Sequence, residues 1–137
     1  MMKRAAFLAA IAACAALALN ALADKPASAS GEAKAKPKVM TIKGEIVDTG
    51  CYLGHGAKGE KHKECATKCV AGGMPIGLLT ANGKLYLLTP NHDSADAYNQ
   101  CKDLVASMVE VTGTVMERSG MMGLDVTDVK AADAVAK

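Results

Sequence analysis

The order of secondary-structure signals in this 137-residue chain predicts an all-β fold with inserted helices. The expected architecture is a small five-stranded OB-like Greek-key barrel, with one helix in the strand 1–2 insertion and another between strands 3 and 4. Two observations carry the prediction. Five stretches alternate apolar and polar residues between turn signals, and helix-like periodicity follows only the first and the third of them. The same order is also compatible with an open α+β sheet.

The first segment is not part of the fold. Lys3 and Arg4 precede the apolar run AAFLAAIAACAALAL, and Ala21-Leu22-Ala23 supplies a small-x-small cleavage pattern, so residues 1–23 read as an export signal. The run is shorter than the roughly 20 apolar residues of a bilayer crossing, and no membrane span is expected. IAAC at 11–14 resembles a lipoprotein box that would lipidate Cys14. The apolar AALAL after it is unlike a lipoprotein's polar tether, and the expected location is periplasmic or secreted. Residues 24–38, DKPASASGEAKAKPK, have no apolar periodicity and read as a flexible linker.

The domain is expected over residues 39–131, with a short tail at 132–137. In VMTIKGEIVD, Met40, Ile42 and Ile46 share one parity, giving strand 1, and Gly44 marks a bulge or sharp coil. Residues 60–71 predict a helix: Glu60/Lys63 and Glu64/Lys68 pair at helical spacing, and Gly72-Gly73 and Pro75 end it. PIGLLTANGKLYLLT is a hairpin turning at Asn82-Gly83, which gives strands 2 and 3. Asp93 or Ser94 caps a second helix, whose apolar stripe is Ala97, Cys101, Leu104, Val105 and Met108. Strands 4 and 5 alternate at Val109, Val111 and Val115, then at Leu124 and Val126, turning at Ser119-Gly120. This last segment resembles strands 4 and 5 of small bacterial periplasmic OB proteins.

Composition excludes one class of partner. Removing residues 1–23 takes away Lys3 and Arg4 and no acid, bringing the net charge from +2 to zero. A neutral domain whose only aromatics are Tyr52, Tyr86 and Tyr98 has neither the basic footprint nor the stacking platform that nucleic acid needs. No GxSxG, HExxH, P-loop or paired-carboxylate pattern is present, and the chain reads as a binding protein rather than an enzyme.

The chemistry concentrates in GCYLGHGAKGEKHKECATKC, residues 50–69, which holds three of the five cysteines and two of the three histidines. At 100° per residue, His62, Cys65 and Cys69 share a stripe about 60° wide on the predicted helix. Cys51 is expected at the end of strand 1, and His55 lies in a loop that Gly54, Gly56 and Gly59 make pliable. Cys51, Cys65 and Cys69 with His62, or with His55 as the reserve ligand, have the composition of a tetrahedral thiolate–imidazole site. Cu(I) and Zn(II) are the ions such a set would take, with an exported protein as a further partner. The spacing matches neither a zinc-ribbon CxxC nor a haem-attaching CxxCH. CxxxC pairs occur in Sco-type copper chaperones and in the dinuclear copper site of cytochrome oxidase subunit II. This chain lacks the proline of the first, after Cys65, and the histidine of the second, after Cys69.

GEIVDTGCYL, HKECATKC and GGMPIGLLT together resemble a loose group of small exported bacterial proteins of unassigned function. The resemblance covers positions matching Cys51, His62, Cys65 and Cys69 and leaves Cys101 outside the pattern.

Two other readings stay open. The cysteines left after export would suit a disulfide-stapled interaction module, pairing 51–65 with 69–101 or 51–69 with 65–101; a bond between Cys65 and Cys69 is disfavoured on one helix. The third reading is a thiol–disulfide redox protein using Cys65 or Cys69. Cys101, on an apolar stripe, reads first as a buried thiol. Met121 and Met122 could add thioether ligands, but such methionines more often cover a barrel end, and Met74 fits equally as a plug under the helix C-terminus. His92 reads as a loop or cap residue, and Tyr52 as packing over the insertion.

Overall fold

The computed structural model describes residues 38–132. The expectations that fall on residues 1–37 (export signal, lipidation at Cys14, linker) and on the tail beyond residue 132 lie outside that range.

β1 (Lys38–Asp48) is the strand on which the sheet closes. It pairs antiparallel with β4 (Met108–Arg118) from Lys38↔Val115 to Glu45↔Met108. Its last residues then pair with β2 (Ile76–Leu79), from Glu45↔Leu79 to Asp48↔Ile76. Gly44 sits at the handover, where an added Cβ would lie 2.6 Å from the Leu79 carbonyl oxygen. Glycine is required there because two backbones approach with no room for a side chain.

β2 and β3 (Leu85–Pro90) form the predicted hairpin, with Leu79 opposite Leu85. Gly83 supplies the left-handed residue at φ 81°, and the Thr80 amide donates to the Lys84 carbonyl at 2.9 Å. β4 and β5 (Met121–Ala131) are joined by Ser119 and Gly120, at φ 51° and 79°. A two-residue turn with both residues left-handed matches the twist of the strands it joins. β3 runs parallel to β5 from Leu87↔Gly123 to Pro90↔Val126. The strand order β1-β2-β3-β5-β4 therefore closes into a five-stranded barrel.

Most of the aliphatic side chains that the alternation singled out fill the interior, but Ile42 and Val115 are only partly buried and Met40 is exposed. Ile46, Ile76, Leu78, Val109, Val111, Leu124 and Val126 are fully buried. α3 (Asp96–Asp103) packs on β3 and β5 and adds Cys101, with Ala97 and Tyr98 against the same core. This helix is shorter than its apolar stripe suggested. It ends at Leu104; Ala106 turns left-handed at φ 60°, and Met108 belongs to β4 and is exposed. Leu104 and Val105 still pack on the core, which is why their spacing looked helical.

The strand 1–2 insertion holds more helix than expected. α1 (Thr49–His55) follows β1 directly, so Cys51 lies in the first turn of a helix and not at a strand end. A 3₁₀ turn (Glu60–His62) leads into α2 (Lys63–Ala71), which covers the predicted 60–71 helix with a tighter first turn. Ala66 and Val70 are the buried face of α2 and join the core. Among the described residues, no helix is long and apolar enough to cross a membrane.

Candidate metal centre

Asp48 organises the site. It is the last residue of β1, fully buried, and the N-cap of α1. Its Oδ1 accepts the Cys51 amide at 2.8 Å, satisfying a donor that the helix start leaves without a partner. Its Oδ2 lies 3.1 Å from His62 Nε2. One carboxylate thus ties the start of α1 to the residue that enters α2. Burial alone would raise the Asp48 carboxyl, but bonds from the Cys51 amide, His62 and the Cys51 thiol outweigh it and hold the group below the ordinary carboxylate range.

The chain between these two ends is turned by glycines. Gly56, at φ 72°, closes α1 by donating its amide to the Tyr52 carbonyl at 2.8 Å. Gly59, at φ 78°, donates its amide to the Glu45 carboxylate and so anchors the loop to β1. The result brings α2 back beside α1.

Three sulfurs meet there. The ligating atoms of Cys51, Cys65 and Cys69 all lie within 4.8 Å of one another, and Cys51 Sγ is 4.0 Å from Cys69 Sγ. A tetrahedral ion with metal–sulfur bonds of about 2.3 Å holds its sulfurs about 3.8 Å apart. The trio is therefore close to ligand spacing without rearrangement of the backbone. Asp48, Cys51 and His62 form a second group within the same limit. Cys51 belongs to both. These residues stand close enough to hold a metal ion.

The electrostatics of Cys51 follow from its place between the groups. Burial first, then the Asp48 carboxylate and the neighbouring Cys69, push its thiol from 9.0 up to about 12. A thiol held protonated this way is a ligand only once a cation displaces its proton. Cys65 is exposed, while Cys51, Cys69 and His62 are half-buried.

The remaining sequence candidates fall around this centre or away from it. His55, the reserve ligand, belongs to neither group; its ring meets that of His62 edge-on, with centroids 6.4 Å apart. The stripe of His62, Cys65 and Cys69 does not act as one set: His62, in the 3₁₀ turn, reaches Asp48 at the end of β1, whereas α2 packs through Ala66 and Val70 and presents its cysteines along the flank. Cys101 is fully buried in the core, where burial pushes its thiol up to about 11, and all four cysteines at 51, 65, 69 and 101 carry free thiols. Met74 lies across Gly50, where a Cβ would come within 2.7 Å of its Sδ. Met121 and Met122 line an apolar cleft of about 580 Å³ with Thr49, Leu53, Leu85 and Leu87, and no cysteine lines it. His92 is exposed beside the start of α3, and Tyr52 is half-buried on α1.

Asp48 is the residue that sequence reasoning missed. The signal was available: an Asp three residues before Cys51, at the end of a strand, is a helix N-cap pattern. Two glycines within the next helical turn and a half masked it.

Comparison with protein-family models gives no match for this chain. Comparison with curated proteins likewise gives no match. The functional reading rests on the geometry alone.

Proposed function

We propose that this chain is an exported, non-catalytic metal-binding protein, acting in the periplasm or as a secreted protein. Cys51, Cys65 and Cys69 supply thiolates and His62 an imidazole to a thiophilic ion, Cu(I) or Zn(II). The observation that carries this reading is the meeting of the three sulfurs within 4.8 Å, at a cysteine shared with the Asp48–His62 pair. Asp48 serves as the carboxylate that fixes the imidazole's orientation, the part such groups play behind metal-bound histidines. The exposure of Cys65 supports a carrier role, since an incoming thiol can reach the ion through that ligand. The barrel order, with β3 parallel to β5 and the insertion opening after β1, supports an OB-like assignment of the scaffold.

Anaerobic purification followed by elemental analysis and by Zn(II) and Cu(I) titration tests the reading. The expected result is about one ion per chain, with Cys51, Cys65 and Cys69 protected from alkylation while it is bound. Reduced protein that takes up neither ion would overturn it.

A second reading is favoured by one distance. Cys51 Sγ and Cys69 Sγ, 4.0 Å apart on different helices, suit a disulfide-stapled interaction module better than any pairing that draws on buried Cys101. Quantitative loss of free thiols at Cys51 and Cys69 in protein isolated under air, with a fold unmoved by chelators, is its expected signature.

A further inference from the structure

The metal and disulfide readings compete for the same two sulfurs, and the geometry suggests how one site can serve both. We infer that Cys51 and Cys69 form a reversible dithiol–disulfide couple that switches the metal site off when oxidised; this rests on the metal-binding reading above.

Only one pair of sulfurs is placed to join. Cys65 and Cys69 are one turn apart on α2, where the helix holds side chains parallel and away from disulfide geometry. Cys101 sits in the core on α3 and belongs to neither ligand group. Cys51 and Cys69 lie on separate elements, in the first turn of α1 and the last turns of α2. Their sulfurs are 4.0 Å apart and need about 2 Å of approach to reach bonding distance.

α1 is the element free to supply that approach. α2 is pinned through Ala66 and Val70, whereas no residue of α1 is buried. α1 is held by its Asp48 cap and by Thr49, whose amide and hydroxyl donate to the Pro75 carbonyl at 3.0 and 2.9 Å. The loop after it turns at Gly56 and Gly59, so a small shift of α1 leaves the barrel core untouched. The site is therefore built from one fixed helix and one adjustable helix.

The chemistry balances with a disulfide oxidant, small-molecule or protein-borne. One thiol of the pair attacks a sulfur of the oxidant's disulfide and expels the first thiol. The other then attacks the mixed disulfide, expelling the second thiol and leaving the Cys51–Cys69 bond. Two electrons pass to the oxidant, and the two cysteine protons end on the two expelled thiols. The oxidised chain keeps Cys65 and His62, which are too few to hold the ion. A dithiol reductant reverses both steps and restores the three thiolates.

Oxidised glutathione, applied to the reduced metal-free chain, is the probe. The intact mass should fall by about 2 Da, and proteolysis should recover Cys51 and Cys69 in one linked peptide pair. Zn(II) affinity should fall by about 100-fold or more in the linked form and return on reduction. Cys65→Ser should still form the link, because Cys65 takes no part in it. The inference is overturned by a link through Cys65, by loss of the link in Cys65→Ser, by a stable glutathione adduct with no internal bond, or by a linked form that binds Zn(II) as tightly as the reduced one. The two readings fail separately. Reduced protein that binds neither Zn(II) nor Cu(I) sinks the metal reading, whereas an ion-binding protein with a different linkage sinks only the couple.

Discussion

Asp48→Asn isolates what the buried carboxylate does, because it removes the charge while keeping an oxygen where Oδ1 stands. The Asn side chain can still accept the Cys51 amide, and Asn caps helices as well as Asp, so α1 should remain capped. The His62 bond at 3.1 Å changes character from a carboxylate to an amide partner, a loss of about 1 kcal/mol. Cys51 is where the effect becomes measurable. Its thiol stands at about 12 because of burial first and the Asp48 carboxylate second. Burial survives the substitution and the carboxylate does not, so the value should drop without returning to the ordinary 9.0. A fall of about one pH unit raises the thiolate fraction at neutral pH about tenfold. Iodoacetamide labelling of the metal-free, reduced protein, read by peptide mass, measures that fraction, with exposed Cys65 as internal reference. Faster labelling of Cys51 against an unchanged Cys65 is expected. If Cys51 labels no faster in Asp48→Asn, the carboxylate does not control the thiol, and the account of the shared vertex is wrong.

Three further outcomes follow from the same geometry. Cys65→Ser should leave the unfolding free energy from urea denaturation within about 0.5 kcal/mol of the parent, because the residue is exposed, yet weaken Zn(II) binding at least about tenfold. Gly113→Ala should destabilise by about 2 kcal/mol or more in urea denaturation, since its Cβ would be driven into the Asp125 carbonyl at the one irregular step of the β4–β5 ladder. Asp48 also makes stability acid-sensitive. Its folded carboxyl lies below 3.8, so the unfolded chain takes up the proton first. The contribution is complete above the unfolded value and is lost as pH falls through the lower folded one, which urea midpoints taken from about pH 6 to about pH 2 in parent and Asp48→Asn would display.

The barrel was legible because its signals are local. Asn82-Gly83 and Ser119-Gly120 fix two hairpins by backbone preference, and Val109, Val111, Leu124 and Val126 alternate as a half-buried sheet requires. Gly44 marks no bulge, since the β1–β4 register runs through it unbroken; the reason for a glycine there, a carbonyl of β2 pressed against it, is visible only in three dimensions. α1 was hidden because TGCYLGH carries two glycines and almost no helix-favouring residues, and its cap bond to Asp48 outweighs that weak propensity. The length of α3 was misread for the opposite reason: Leu104 and Val105 are apolar at helical spacing but bury themselves from a turn. For the site, helical phase grouped Cys65 and Cys69 correctly, but His62, in the turn before α2, joins Asp48 and Cys51 instead, and phase cannot say which flank of a helix packs. That is decided by Ala66 and Val70, the two residues of α2 that join the core.

That partition of α2 explains why the insertion, and not the barrel, carries the chemistry. Each strand of the closed barrel pairs on both sides, and the interior is filled with aliphatic side chains, leaving no room for a polar site inside. A helix placed on such a barrel has one face to anchor it, and Ala66 and Val70 use that face with very little volume. They pin α2 to the core, and Cys65 and Cys69, on the same helix, are carried beside Cys51 of α1. Cys51 is held from the other direction, by a cap bond to a strand residue that cannot move without disturbing β1. The three sulfurs thus come from two elements, Cys65 and Cys69 from the anchored α2 and Cys51 from the capped but adjustable α1, and Cys65 alone is exposed. A centre of that construction would accept an ion from solvent through Cys65 and seat it on Cys51 and Cys69. The same two sulfurs, brought together, would leave Cys65 with His62 alone, too few ligands to hold the ion.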